Sequence, residues 1–301
     1  MTAAPTAVRI GLDVGGTKID AVALDDAGAV VARRRSATRG GADGVVDSIR
    51  DAILRLDRGG AAVAAIGIGV PGQAHGGVVR HAVNLGVEEL ALADAVSTLF
   101  DVPVAVENDV KAAALGAHAL GDGTGSLALL NLGTGVAAGI VADGALLCGR
   151  HGAAGEIGHV AVDPAGPSCR CGQTGCIETL AGGAAVSARW GRPGDTVREI
   201  FDAADAGDPS AIRLRGDVAR GAAAAIRLLA LAVDPDRLVV TGGVAGLGER
   251  LRSAIADELR RSSATSPFLR SLHLDTRVEM LPSASPAAAL GAALLDARVL
   301  V

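Results

Sequence analysis

Aromatic side chains are nearly missing from this chain of 301 residues, which has no tyrosine, one tryptophan and three phenylalanines. Its cores must therefore be built from Ala, Val, Leu and Ile, and the 42 glycines suit close backbone packing and tight loops. Lysine is just as scarce. Lys18 and Lys111 are the only two, so nearly all positive charge is arginine. Basic residues are not in surplus either: the net charge of −5 argues against a nucleic-acid-binding surface. No apolar run approaches the length of a membrane span. The opening MTAAPTAVRIGLDVGG lacks a charged segment followed by an apolar core, so it does not read as a secretory signal. There are four cysteines, three of them in a metal-like spacing, which fits a reducing compartment and a cytoplasmic location.

What is present begins with strands. Residues 8–14 read as a buried strand, Gly15-Gly16-Thr17-Lys18 as a turn, and 19–24 and 29–33 as two more strands. Dinucleotide and Walker A phosphate loops both need a helix straight after the glycines, so DVGGTK is neither. Apolar spacing predicts a helix at 43–56, a strand at 65–70, a loop at 73–86, a helix at 88–99, a strand at 102–106 and an Ala-rich helix at 111–119. The stretch 127–147 then repeats the opening, with Asn131-Leu132-Gly133-Thr134-Gly135 answering Asp13-Val14-Gly15-Gly16-Thr17. Two copies of one unit so far apart suggest two similarly built domains. Beyond them come helices at 181–190, 197–206 and 209–233, a strand at 237–241 before Gly242-Gly243, and a helix to about residue 261. A strand at 278–281 and a helix at 287–297 close the pattern.

The stretch 151–178, HGAAGEIGHVAVDPAGPSCRCGQTGCIE, is the most specific signal. His159, Cys169, Cys171 and Cys176 put four soft or borderline ligands within eighteen residues. That set fits one tetrahedral Zn²⁺ with no open position, hence a structural ion that pins a loop. Glu156 and Glu178 are what such a loop would present. Carboxylates accept hydrogen bonds from hydroxyls, so with His159 they fit a reader of polyols. His75, His81, His118 and His151 have no comparable company and read as surface or loop residues, and Cys148 as a buried apolar one.

The two Gly-Thr hairpins, Gly15-Gly16-Thr17-Lys18 and Gly133-Thr134-Gly135, offer N–H groups and hydroxyls that could grip phosphates from two sides. Asp13 is placed to hold Mg²⁺ through water, and Gly242-Gly243 to let adenine or ribose lie on the backbone. Together they favour a nucleotide held in a cleft between domains. Asp109 follows a buried strand at a helix start, where the dipole keeps a carboxylate ionised and able to take a proton from an attacking hydroxyl. The competing reading is that Asp109 only caps the helix. Asn108 beside it could read a hydroxyl.

DVGGTK, VENDVKAAALG, NLGTGVAAGI, HGAAGEIGH, CRCGQTGCIE and VVTGGV, in this order over nearly the whole chain, resemble the ROK family of sugar kinases and repressors. The resemblance implies an α/β fold of the actin/hexokinase-like (ribonuclease H-like) type, with two domains around a ligand cleft. The small domain would take 1–118 and a returning helix at 286–301, and the large one 119–285 with the zinc loop. It also implies an ATP-dependent hexose 6-kinase with Asp109 as general base. Asn108, Glu156, His159 and Glu178 would bind the other hydroxyls, with Asn84 helping, and His159, Cys169, Cys171 and Cys176 match the family's zinc ligands. ATP, Mg²⁺ and structural Zn²⁺ are the implied cofactors, and a homodimer the implied assembly. A first strand at Val8 leaves no room for the repressors' helix-turn-helix domain. Two departures stand near the expected sugar pocket: Val87-Glu88 after Asn84-Leu85-Gly86, where glucokinase-like members carry a tryptophan, and Lys111, where a small or amide residue is usual. Glucose is the expected substrate. N-acetylglucosamine, N-acetylmannosamine, an aminosugar such as kanosamine or a cyclitol stays open, as does a non-catalytic sugar sensor.

Overall fold

The apolar run that opens the chain forms strand β1 (Ala7–Val14), and the glycine turn reverses it into β2 (Lys18–Leu24) and then β3 (Val30–Ala37). The computed structural model that shows this describes residues 6–282 and 284–296. Helix α1 (Ala42–Leu54) buries Val45, Ile49 and Ile53 in the core of this first sheet. Strand β4 (Ala62–Val70) lies parallel to β1 and, on its other side, to β8 (Val104–Asn108). The sheet order is β3-β2-β1-β4-β8.

Between β4 and β8 the expectation of a loop at 73–86 and a helix from 88 is corrected. The segment is a hairpin of β5 (Gln73–His75) and β6 (Val78–Ala82), a single 3-10 turn (Val83–Leu85) and strand β7 (Val87–Leu90). Helix α2 (Leu92–Phe100) starts only after it. The reason is a cross-strand register that the linear order hides. Arg80 pairs with Glu89 across β6 and β7 at 2.8 Å, while Val79 and Val87 turn inward.

Helix α3 (Asp109–Leu120) follows β8 directly, and then the opening hairpin recurs as β9 (Leu127–Leu132), β10 (Val136–Ala142) and β11 (Ala145–Leu146). The expected helix at 181–190 is broken at Gly182 into α4 (Ile177–Ala181) and α5 (Gly183–Trp190). Helix α6 (Val197–Asp205) starts on a capping box of Thr196 and Glu199, and α7 (Pro209–Val233) on the Asp208 cap with proline at its first position. Strand β12 (Arg237–Thr241) leads through a 3-10 turn (Val244–Leu247) into α8 (Glu249–Ser263). Two short helices without sequence periodicity, α9 (Pro267–Ser271) and α10 (Leu274–Arg277), precede β13 (Val278–Met280). The second sheet runs β11-β10-β9-β12-β13, the same order as the first. The repeated glycine hairpin is thus the visible edge of a repeated sheet.

The expected last helix is α11 (Ala287–Leu294), and the part of that expectation at 297–301 lies outside the described residues. It packs backbone to backbone on β1, β4 and α3. A methyl group at Gly67 of β4 would sit 1.7 Å from the Ala292 carbonyl oxygen, and one at Gly291 of α11 1.7 Å from that of Ala112 on α3. Arg9 of β1 donates to the carbonyls of Ala293 and Leu295 at 2.9 and 2.7 Å. Contacts this close leave no space for rings, which is where the scarcity of aromatics finds its use. The chain divides into two compact units: the segment up to Thr124 with Gly139–Ala154 and the stretch from Pro286, and Gly125–Ala138 with Gly155–Ser285. Among the described residues no helix is long and apolar enough to cross a membrane.

Candidate active site

In the first unit, parallel pairing brings three strand ends to one edge of the sheet. Asp13 stands opposite Gly69, and Gly69 opposite Glu107. Strand β8 then passes into α3 with Asn108 as the cap, its Oδ1 accepting from the N–H groups of Val110 and Lys111 at 2.9 and 3.3 Å. The Asn108 side-chain amide also donates to the Gly72 carbonyl at 3.1 Å. Asp109 is therefore the first helical residue and not the cap, and its Oδ1 accepts from the Val110 N–H at 2.9 Å. Gly69 permits the close approach, since a methyl group there would lie 3.2 Å from Ala112 Cβ and 3.5 Å from Asp109 Cα.

Asp13 and Asp109 consequently feel one another. Burial, and then the Asp109 charge, push the Asp13 carboxyl up from 3.8 to about 7, against the pull of Lys18 and Arg35. A carboxylate so placed gains from a cation, and Asp13 is the residue here suited to hold one. Asp20, opposite Asp13 on β2, was not singled out by its sequence context. Burial works against its charge too, but Arg33 at 2.6 Å and Arg35 at 3.1 Å hold its carboxyl below the usual range. The turn beside Asp13 is closed by the Gly15 N–H donating to the Lys18 carbonyl at 2.9 Å, and Gly16, Thr17 and Lys18 are exposed. Asn84, exposed on its 3-10 turn, abuts this loop: a methyl group at Gly16 would meet the Asn84 carbonyl oxygen at 2.6 Å.

Two expectations in this unit are corrected. His118 is not a surface residue but is buried on α3 among close-packed alanines. Cys148 is not merely apolar filling: its Sγ donates to Glu107 Oε2 at 3.3 Å. Lys111, one of the two departures from the family pattern, is buried as well.

In the second unit the four expected zinc ligands converge. The donor atoms of His159, Cys169, Cys171 and Cys176 lie within 4.8 Å of one another. Cys171 and Cys176 sulfurs are 3.7 Å apart, and Cys169 Sγ is 3.8 Å from His159 Nδ1. The edge of a tetrahedron with metal–sulfur bonds of ~2.3 Å is ~3.8 Å, so the donor set fits Zn²⁺ in spacing as well as in chemistry. Hydrogen bonds from Gln173 push the Cys171 thiol down to about 6, while burial pushes Cys176 up to about 12.

The same loop is stitched to β10 by two glycines three residues apart. Methyl groups at Gly155 and Gly158 would meet the carbonyl oxygens of Ala138 and Val136 at 1.9 and 2.1 Å. This seats the 3-10 turn Ile157–His159 on the strand, with Glu156 exposed at its start. Glu178, in the first turn of α4, reaches the start of the same strand: its Oε2 accepts from the Val136 N–H at 3.1 Å. The Gly133-Thr134-Gly135 turn is held further by the N–H groups of Gly183 and Ala184, which donate to the carbonyls of Gly133 and Thr134 at 2.8 and 3.0 Å. Thr134, Cys169, Arg170 and Glu178 line one cavity of about 340 Å³. Gly242 follows β12 at a φ of 98°, with Gly243 next to it. A larger hollow of about 650 Å³ is lined by Arg189, Arg192, Arg213 and Arg220; Asp217 pairs with Arg189 and Arg220, Asp208 with Arg192, and Arg213 donates to Ser210 Oγ at 2.8 Å.

The two glycine turns, the paired carboxylates and the Cys₃His cluster, each on its own element, agree with what comparison of the whole chain finds. The sequence profile described as the ROK family matches residues 9–298. The chain belongs to the ROK family. It is 36% identical over 275 residues to a glucokinase of Halalkalibacterium halodurans, covering 82% of this chain and 83% of that one. It is 35% identical over 249 residues to an N-acetylmannosamine kinase of Yersinia pseudotuberculosis, covering 79% and 83%. Among solved structures, a ROK family glucokinase from Streptomyces griseus in complex with glucose and AMPPNP superposes with a TM-score of 0.76 at 33% identity, covering 95% of this chain and 98% of that one. The α/β fold of the actin/hexokinase-like type, expected from the motifs, is the fold this ROK protein has.

Proposed function

We propose that this ROK-family sugar kinase transfers the γ-phosphoryl group of ATP to the 6-hydroxyl of a hexose, with glucose as the first candidate. The observation that carries the reading is Asp109 at the first position of α3, near the half-buried Asp13. The helix N-terminus favours the ionised carboxylate, and Asp109 accepts the proton as the sugar oxygen attacks phosphorus. Phosphoryl transfer needs little covalent help from a protein and much positioning and charge stabilisation. Glu156, His159 and Glu178 accept from or donate to the remaining hydroxyls, with Asn108 and Asn84 alongside. The N–H groups and hydroxyls of Gly15-Gly16-Thr17-Lys18 and Gly133-Thr134-Gly135 hold phosphates, and Gly242-Gly243 leave room for the nucleoside.

Mg²⁺, when bound with ATP, supplies positive charge to the phosphates, and Asp13 is the residue that would hold it. Zn²⁺ would be held by His159, Cys169, Cys171 and Cys176 and supply rigidity to the loop bearing Glu156. N-acetylmannosamine is the second substrate to test, because a relative named for it is 35% identical over 249 residues, little less than the glucokinase. The burial of Lys111 supports keeping glucose first, since that departure from the family pattern is taken up inside the fold.

The test is ATP-dependent phosphorylation with Mg²⁺ across glucose, mannose, N-acetylglucosamine, N-acetylmannosamine, aminosugars and cyclitols. Turnover of one sugar, lost in Asp109→Ala, is the expected result. Sugar binding without turnover of any of them would replace the kinase with a sensor.

A further inference from the structure

Lys111 and Glu107 form a buried ion pair that the transfer reaction does not use directly. Lys111 Nζ lies 3.6 Å from Glu107 Oε1, and both side chains are almost fully shielded, at 3% and 6% exposure. The ammonium donates to the Gly152 carbonyl at 2.6 Å and points a weaker contact at the Cys148 carbonyl at 3.5 Å. The ammonium thus makes one short hydrogen bond and one long one to backbone carbonyls, and meets the Glu107 carboxylate as an ion pair. Glu107 is equally occupied: Oε1 also accepts from the Asn108 N–H at 2.6 Å, and Oε2 from Cys148 Sγ at 3.3 Å. One pair of charges therefore holds two stretches of chain together. The first is the junction of β8 and α3, where Asn108 and Asp109 stand. The second is Cys148–Gly152, which runs into the turn bearing Glu156. Close packing supports the same join, since a methyl group at Gly139 would lie 2.8 Å from the Val110 carbonyl oxygen.

We propose that Lys111 is a positioning residue: its ammonium fixes the segment Cys148–Gly152 against the start of α3, and so sets the sugar-binding side of the reaction. The proposal rests on the kinase reading above. A purely structural role makes a different prediction. Removing one partner of a buried pair strands the other charge, whereas removing both is close to neutral for folding. Stability and positioning can therefore be separated by variants.

Lys111→Met and the double variant Lys111→Met/Glu107→Gln are compared with the wild type for thermal unfolding and for the KM of glucose and of ATP. The single variant loses stability. The double variant regains most of it, yet keeps a glucose KM raised ~10-fold with the ATP KM within ~2-fold of wild type. Glucose binding by calorimetry should shift by the same ~10-fold, so the positioning effect is read even without turnover. Absence of wild-type turnover would count against the kinase reading alone. A double variant with wild-type stability and wild-type glucose affinity, or with equal losses for glucose and ATP, would overturn the positioning role.

Discussion

Replacing Asp13 by Asn should make the ligand-free protein more stable, and more so as the pH rises. The Asp13 carboxyl sits at about 7 in the folded chain against an ordinary 3.8, chiefly because it is buried and secondly because Asp109 is near. Between those two values the unfolded chain has lost a proton that the folded chain keeps. The sign follows: stability contributed by this group is complete below the unfolded value, falls as the pH climbs towards 7, and stays low above it. At ~1.4 kcal/mol for each pH unit, the penalty is ~1.6 kcal/mol at pH 5 and approaches ~4 kcal/mol at pH 8. Asparagine has nothing to ionise and escapes the penalty, while keeping nearly the same volume. The assay is urea unfolding of both proteins, free of Mg²⁺ and nucleotide, at pH 5 and pH 8. The variant should gain at least ~1 kcal/mol more at the higher pH, once relaxation around the site is allowed for. An equal gain at both, or a loss at pH 8, would refute the argument. The same variant should lose Mg²⁺-dependent turnover, because the strain that burial places on the carboxylate is what a cation would relieve.

Other expectations are narrower. Asp109→Asn should cut turnover by ~10²–10⁴-fold in steady-state assays while glucose affinity changes little. Purified protein should carry one Zn²⁺ per chain by elemental analysis, and Cys171→Ser should fall well below that and bind sugar more weakly. Gly291→Ala should destabilise by at least ~1–3 kcal/mol in denaturant titration, because the added methyl group meets the Ala112 carbonyl, which is backbone and cannot rotate away.

Much of the architecture could be read from the chain because its signals are local. Strands β9 and β12 and helix α7 begin and end where periodicity and the Asp208-Pro209 start place them. The cysteine cluster was legible for the same reason, as its donors lie within one loop. What stayed hidden depends on partners far along the chain. Arg80 and Glu89 make a strand pair only once the register is known. Cys148 looks apolar until Glu107, 41 residues earlier, is found beside it. Lys111 looks like a departure beside the sugar pocket until the Gly152 carbonyl, 41 residues later, is found accepting from it. Glu178 was picked out as a hydroxyl reader, but its bond to the Val136 N–H, beside the Gly133-Thr134-Gly135 turn, needed the fold.

Helix α11 has a consequence for how the molecule comes into being. Strand β1 leaves the ribosome long before α11, yet Arg9 must find carbonyls at Ala293 and Leu295, and Gly67 lies flush against Ala292. At ~5–20 residues per second, some 280 residues of translation keep that groove open for roughly 15–60 s. Throughout that time the apolar rows of β1 and β4 lack the helix that covers them. A nascent chain of this kind depends on being shielded until translation reaches α11, and stalling between residues 125 and 285 would leave a half-built sheet exposed to its neighbours.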